Sequence, residues 1–405
     1  MSRLPGFALA LLLAGSAHGV AAQAASQQVE VTPLAAPDAF TTPGRSTGLP
    51  PELWSGASAR TARSVLPLLA AKSLSPAGSA LARRILATGA PGPAGAGRDP
   101  ALAAARGNAL MFQGDPKAAA AVLAHVPGLD RSSELARAAA ESALLSSDDP
   151  RACQISSGLS VGRDEVYWLK LRTFCQAIAG EKAQAWLTFD LAQAQVKDPI
   201  FTRLMGAKLA GLGNPGSASL RNGLDYALSR DLGLDLTTAR PSPAVAAALA
   251  TTDPGDPAFD PAAVPLDLAA FAAAAAKGRP PPDAEVMALI TDTQAAEPKV
   301  RARAQAAALL ALALENRLTP DTRGLMAGLS LPEGKAPVGR DLALESAGRQ
   351  KLMGEAALLS LWTCAEAGPA GPAIGDRVRI VQALHAVGLD ADARAFALEG
   401  LVGLK

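Results

Sequence analysis

Ile178–Ala192, "IAGEKAQAWLTFDLA", decides the fold, because its pattern recurs. A small residue closes one apolar run, an acidic residue follows, and a run of small residues opens behind it. "QGDPKAAAAVL" places Asp115 at the same point, "SSDDPRACQIS" places Asp149, and "GLGNPGSASLRNGL" places Asn214; with Glu181 the spacings are 34, 32 and 33 residues. Gly or Asp ends the first helix, Asp or Asn caps the second, and Pro is tolerated in its first turn. The spacing predicts a helix-turn-helix unit repeated down the chain. In the last third Pro320, Gly354 and Gly388 recur at intervals of 34 and 34.

Composition agrees. Apolar residues make up 49% of the 405-residue chain and aromatics only 4%, so the apolar content is largely Ala and Leu. These lose little side-chain entropy in a helix. A sandwich or barrel would need Val, Ile, Thr and aromatics. The expected fold is all-α: antiparallel helix pairs stacked as an α-solenoid in two halves.

Residues 1–24 read as a signal peptide. Arg3 precedes the apolar run "FALALLLAGSA", small residues follow, and cleavage fits after Ala22 or Ala24. Ser16 stands where a lipoprotein signal would need cysteine. Residues 25–51, rich in Pro, Ser and Thr, read as a disordered tether. Residues 52–236 read as the first helical region and 284–405 as the second. Between them, 237–283 is a joint, since the nine prolines from Pro241 to Pro282 allow only short helices such as "AVAAALA" and "LDLAAFAAAAAKG". No second apolar run reaches the ~20 residues of a membrane span. Abundant Ala, Gly, Pro and Arg resemble a GC-rich bacterial genome, so the expected home of the mature chain is the periplasm.

The repeat resembles the tetratricopeptide family. Gly180 stands where that family has its inter-helix glycine, and Ala185, Phe189 and Ala192 stand where its second helix carries small, aromatic and small residues. Gly107, Leu110, Gly114, Ala119 and Leu123 match more loosely at an earlier turn. The likeness covers about residues 101–224, and more weakly 320–398. It departs at the first-helix Trp and Tyr positions, where this chain has Leu or Ala. The resemblance implies a helical array that binds protein or peptide.

Chemistry-bearing residues are sparse. Cys153 falls in the second helix of one unit and Cys175 in the first helix of the next, so in an oxidising compartment the two read as an inter-helix disulfide. A catalytic thiol would need a base nearby, and His125 and His385 lie far off in the sequence. Cys364 reads as a buried thiol. There is no C-x-x-C or H-E-x-x-H pair, no nucleotide-binding loop and no nucleophile elbow, so no metal, cofactor or catalytic residue is expected. Asp253, Asp256 and Asp260 lack the calcium-loop spacing and read as Asp-Pro turns. A net charge of +1, with no run of five Lys or Arg, excludes a nucleic-acid face.

Tyr167, Leu171, Phe174 and Ile178 form one helical stripe that reads as inter-helix core. Tyr167, Trp168 and Trp186 are the candidate contacts for a partner. The function these observations imply is a non-enzymatic scaffold or adaptor for another protein of the cell envelope. Two alternatives stand beside it. Glu345-Ser346 echoes the acid of superhelical transglycosylases that cleave peptidoglycan, although the glycine-rich segment that should follow is absent. The chain could also be a spacer whose joint sets the distance between two arrays.

Overall fold

The computed structural model describes residues 38–211, 215–250, 269–278, 287–291, 297–314, 319–330 and 333–404. Every element there is helical or a turn, with no strand among the described residues. The expected signal peptide and most of the joint lie outside them.

The helices run α1 (Ala59–Leu69), α2 (Pro76–Ala87), α3 (Pro100–Phe112), α4 (Pro116–Leu123), α5 (Ser133–Leu145), α6 (Asp149–Gly158), α7 (Val166–Ile178), α8 (Lys182–Gln195), α9 (Pro199–Ala210) and α10 (Gly223–Asp231). Then follow α11 (Pro243–Leu249), α12 (Ala269–Ala276), α13 (Pro298–Ala313), α14 (Pro320–Met326), α15 (Val338–Arg349), α16 (Met353–Ala367), α17 (Ile374–Ala386) and α18 (Asp390–Val402). The first two short joint helices expected from sequence are α11 and α12.

The hairpins α3/α4, α5/α6 and α7/α8 form because their turns share one chemistry. Gly114, Ser147 and Gly180 adopt φ of 95°, 62° and 79°. The next N–H then reaches back five residues: Asp115 to Leu110, Asp148 to Ala143 and Glu181 to Gln176, at 2.8, 2.9 and 2.9 Å. This double-turn closure satisfies the last carbonyls of the first helix. Gly suits the left-handed position because it has no Cβ. Asp115 and Asp148 then cap α4 and α6 by accepting from the Ala118 and Arg151 N–H groups. The residue equivalent to Asp115 is therefore Asp148, not Asp149. Measured at the caps Asp115, Asp148 and Glu181, the interval is a uniform 33 residues. Lys351 and Gly388 close the α15/α16 and α17/α18 turns with the same backbone bond. The fourth turn expected from sequence does not repeat. Asn214 lies outside the described residues, and the next helix starts only at Gly223, capped by Asn222.

Helix α3 lies between α1 and α5, and α6 packs on α7. The C-terminal hairpins meet the start of the array: α16 packs on α1 and α2, and α18 on α2. One apolar core therefore contains Trp54, Leu66, Leu81 and Ile85 together with Leu361, Ile380, Phe396 and Leu401. Gly354 is required at this seam. A Cβ there would come within 2.6 Å of the Leu53 carbonyl oxygen and 2.7 Å of the Trp54 ring, while its own N–H donates to that carbonyl at 2.9 Å.

Carboxylates from the C-terminal helices cap the N-terminal ones. Glu355 accepts from the Ser58 N–H and the Thr61 hydroxyl at the head of α1, at 2.8 and 2.7 Å. Glu399 accepts from the Ala77 N–H in the first turn of α2 at 2.7 Å, and its other oxygen accepts from buried Arg377 at 2.7 Å. Arg84 pairs with Asp392 at 2.5 Å. Carboxylates at helix N-termini meet both unsatisfied N–H groups and the positive end of the dipole.

One sequence expectation is corrected here. Residues 38–51 are not a free tether. Phe40 is fully buried, and Arg106, itself buried, donates to the carbonyls of Ala39, Thr42, Leu86 and Thr88. Its guanidinium stands 5.1 Å from the Phe40 ring centroid. Burial pushes Arg106 down to about 9, against the opposing charge of Asp38, so it remains a cation at neutral pH.

Candidate functional site

A second, smaller core joins α5 to α10. Leu171 and Phe174 are fully buried in it, and Ala185, Phe189 and Ala192 face inward from α8. The expected disulfide is present: Cys153 on α6 joins Cys175 on α7, with Cα atoms 5.5 Å apart and a sequence separation of 22. It ties one hairpin to the next. Cys364 is a free, buried thiol, and burial raises it to about 12.

The three candidate partner contacts separate. Trp168 is only 1% exposed. It points into the core, and its indole N–H donates to the Ser133 hydroxyl at 2.9 Å. A partner has no access to it, which corrects the sequence expectation: an indole N–H can be buried once it finds an acceptor on the preceding hairpin. Tyr167 is half-buried. The Arg137 guanidinium lies 4.6 Å from its ring centroid, and its hydroxyl faces the Glu141 carboxylate. Burial, then the Glu141 charge, push Tyr167 well above its usual value. Burial likewise raises Glu141, although the Gly223 N–H donates to it at 2.6 Å.

Trp186 alone is presented outward. It is 41% exposed, and with Leu187 at 65% and Leu191 at 52% it covers the outer face of α8. Ala183, Asp190 and Ala194 complete that face, all exposed. Trp186 is held from below. Its ring meets Phe189 edge-on at 5.7 Å, Phe189 lies 5.9 Å from Phe201, and the Lys170 ammonium sits 5.3 Å from the Phe201 centroid. Lys170 also pairs with Asp198, the N-cap of α9, at 2.7 Å. Burial would raise Asp198, but the hydrogen bonds from Lys170 and Arg221 prevail and hold it far below the usual carboxylate range.

Leu187 and Leu191 escaped the sequence reading, which counted only aromatics. The signal lay in the 33-residue register. At the places of Trp186 and Leu187, α4 has Ala120 and Ala121 and α6 has Cys153 and Gln154. Small, polar or disulfide-bonded residues thus give way to large exposed apolar ones only on α8.

Two grooves also open on the surface. One lies among Asn108, Phe112, Arg137, Glu141, Asn222 and Ser242. The other lies between α15 and α17, with Val338, Leu342, Glu345 and Arg379 on its walls. Glu345 is exposed there and pairs with Arg349 one turn on at 3.1 Å. Among the described residues no cluster of three or more His, Cys, Asp or Glu is placed to hold a metal ion, and no helix is long and apolar enough to cross a membrane.

Comparison with known proteins adds no relative: no family model matches the chain, no curated protein matches it, and no solved structure matches it.

Proposed function

We propose that this chain is an exported, non-enzymatic scaffold or adaptor, a tetratricopeptide-like array of helix pairs that holds another protein of the cell envelope. The observation that carries the reading is the outer face of α8, where Trp186, Leu187 and Leu191 stand exposed on a rigid base. Contiguous exposed apolar side chains mark interaction sites, and an anchored aromatic at their centre is the usual energetic focus of an interface. The Cys153–Cys175 disulfide fits an oxidising compartment, in keeping with the signal-peptide pattern and a periplasmic home.

The competing readings have less behind them. A glycosidase acid needs an enclosing apolar pocket that keeps it protonated, whereas Glu345 is exposed and ion-paired. A spacer needs halves held apart, whereas here the halves share one core.

A photo-crosslinking residue at position 187, with position 154 on α6 as control, tests the adaptor in cells. The expected result is one envelope protein captured from 187 and none from 154. Equal labelling from both positions, or none from either while a known envelope pair crosslinks, would overturn it.

A further inference from the structure

The outer face of α8 carries one more feature, and it narrows what can lie there. Asp190 sits in the middle of the apolar stripe, between Trp186 and Leu187 on one side and Leu191 and Ala194 on the other. Among the described residues its carboxylate accepts no hydrogen bond and enters no ion pair, whereas Asp198 at the head of the next helix pairs with Lys170 and Arg221. Any apolar partner that covers the stripe also covers this carboxylate. Burying an unpaired charge costs far more than the apolar contact returns, so the partner must bring a cation to that point.

The shape of the site is that of one helix face. From Ala183 to Ala194 the stripe runs about 17 Å, three turns. Its large side chains lie in the middle and alanines at both ends, where a crossing backbone can approach closely. An amphipathic helix laid along such a face offers apolar residues at three- and four-residue spacing, and its own ridges fit those of α8. A second copy of this chain fits poorly: a two-fold axis through the middle of the stripe would set the two Asp190 carboxylates against each other, and like charges across an interface are costly.

We propose that α8 receives an amphipathic helix of the partner protein, whose apolar stripe is interrupted near its middle by one Lys or Arg that pairs with Asp190. This rests on the adaptor reading and gives the chemistry of what it holds.

The test uses the full mature chain and two synthetic 18-residue amidated peptides. Both are helices with the same Leu/Ala stripe; one carries Lys at its centre and the other Glu. Calorimetric titration at low salt should show the Lys peptide binding about tenfold more tightly than the Glu peptide. Asp190→Lys should reverse that order. Leu187→Asp should abolish binding of both while the unfolding midpoint stays in place. Equal affinities, an order that survives Asp190→Lys, binding indifferent to Leu187→Asp, or no binding of either peptide would each overturn the proposal. So would self-association, seen by sedimentation and lost in Leu187→Asp, because a second copy would then be the occupant. A protein crosslinked at position 187, together with peptides of equal affinity, would overturn the helix-and-cation occupant and leave the adaptor standing.

Discussion

The molecule holds its helices together in two different ways. Around α1, α2, α16 and α18, distant parts of the chain meet in a large core, and half-buried carboxylates complete it: Glu399 joins residues 322 apart in sequence. From α5 to α9 each helix packs mainly on its neighbours in the sequence, with α10 returning to α5, and a disulfide adds a covalent tie. The only free cysteine, Cys364, lies in the first region, where it is buried. The comparison teaches where each kind of stabilisation is needed. A seam closed by both ends of the chain draws on long-range burial. A run of successive hairpins with one face left open has less to bury, and a cross-link compensates by restricting its unfolded state.

The seam offers the largest break. Glu399→Ala removes the acceptor of the Ala77 N–H and strands buried Arg377, whose remaining partner is the Phe396 carbonyl at 3.1 Å. Removing one member of a fully buried ion pair costs about 3–5 kcal/mol, and because Glu399 is partly exposed the loss should lie at the lower end of that range. Urea unfolding should show that loss. The double variant Arg377→Met with Glu399→Leu should recover much of it, because no charge is then left uncompensated. If Glu399→Ala falls within about 0.5 kcal/mol of the parent, the seam is not held by this pair.

The disulfide is the next test, and it should act on the other region alone. Closing a loop of this length contributes about 3 kcal/mol in the chain-entropy account. Cys153→Ala with Cys175→Ala should lower hydrogen-exchange protection in α6–α9 and leave α1, α2 and α16 as they were. An equal fall in both regions would mean that they unfold as one cooperative unit and are not stabilised separately.

The same division separates what can be read in the sequence from what cannot. The hairpins were legible because their determinants are local: Gly180 and Asp115 act within a few residues of themselves. The disulfide followed from the repeat register. Residues 38–51 were misread because their Pro, Ser and Thr content speaks for a tether, while what fixes them is Arg106, a residue on another helix. The caps from Glu355 and Glu399 were illegible for the same reason, as each is a surface-type residue until the fold brings a helix end to it. Trp168 and Trp186 look alike in sequence. Only the packing of the α5/α6 hairpin against α7 decides that one is buried and the other not. Leu187 was legible in principle, but only by comparing it with Ala121 and Gln154 at the same place in earlier units.

The smallest expected effect is one of pH, and it lies within the second region. Glu141 on α5 accepts from the Gly223 N–H and so fixes the start of α10. Burial raises its pKa; the Gly223 N–H, the Tyr167 hydroxyl and Arg137 oppose that rise, and the charge of Asp225 adds to it. The folded state thus keeps the Glu141 proton to a higher pH than the unfolded chain does. In the interval between the two values the folded state binds more protons, so stability falls as pH rises through it. Glutamine keeps a carbonyl oxygen for the Gly223 N–H but has nothing to titrate. Glu141→Gln should therefore gain on the parent as pH rises just above the ordinary carboxylate range, read as the difference in urea midpoints between about pH 4 and pH 8. A difference that stays constant across that range would show that Glu141 titrates as an ordinary surface carboxylate. The start of α10 would then be held by Asn222 and the core around it rather than by a charge inside the open region.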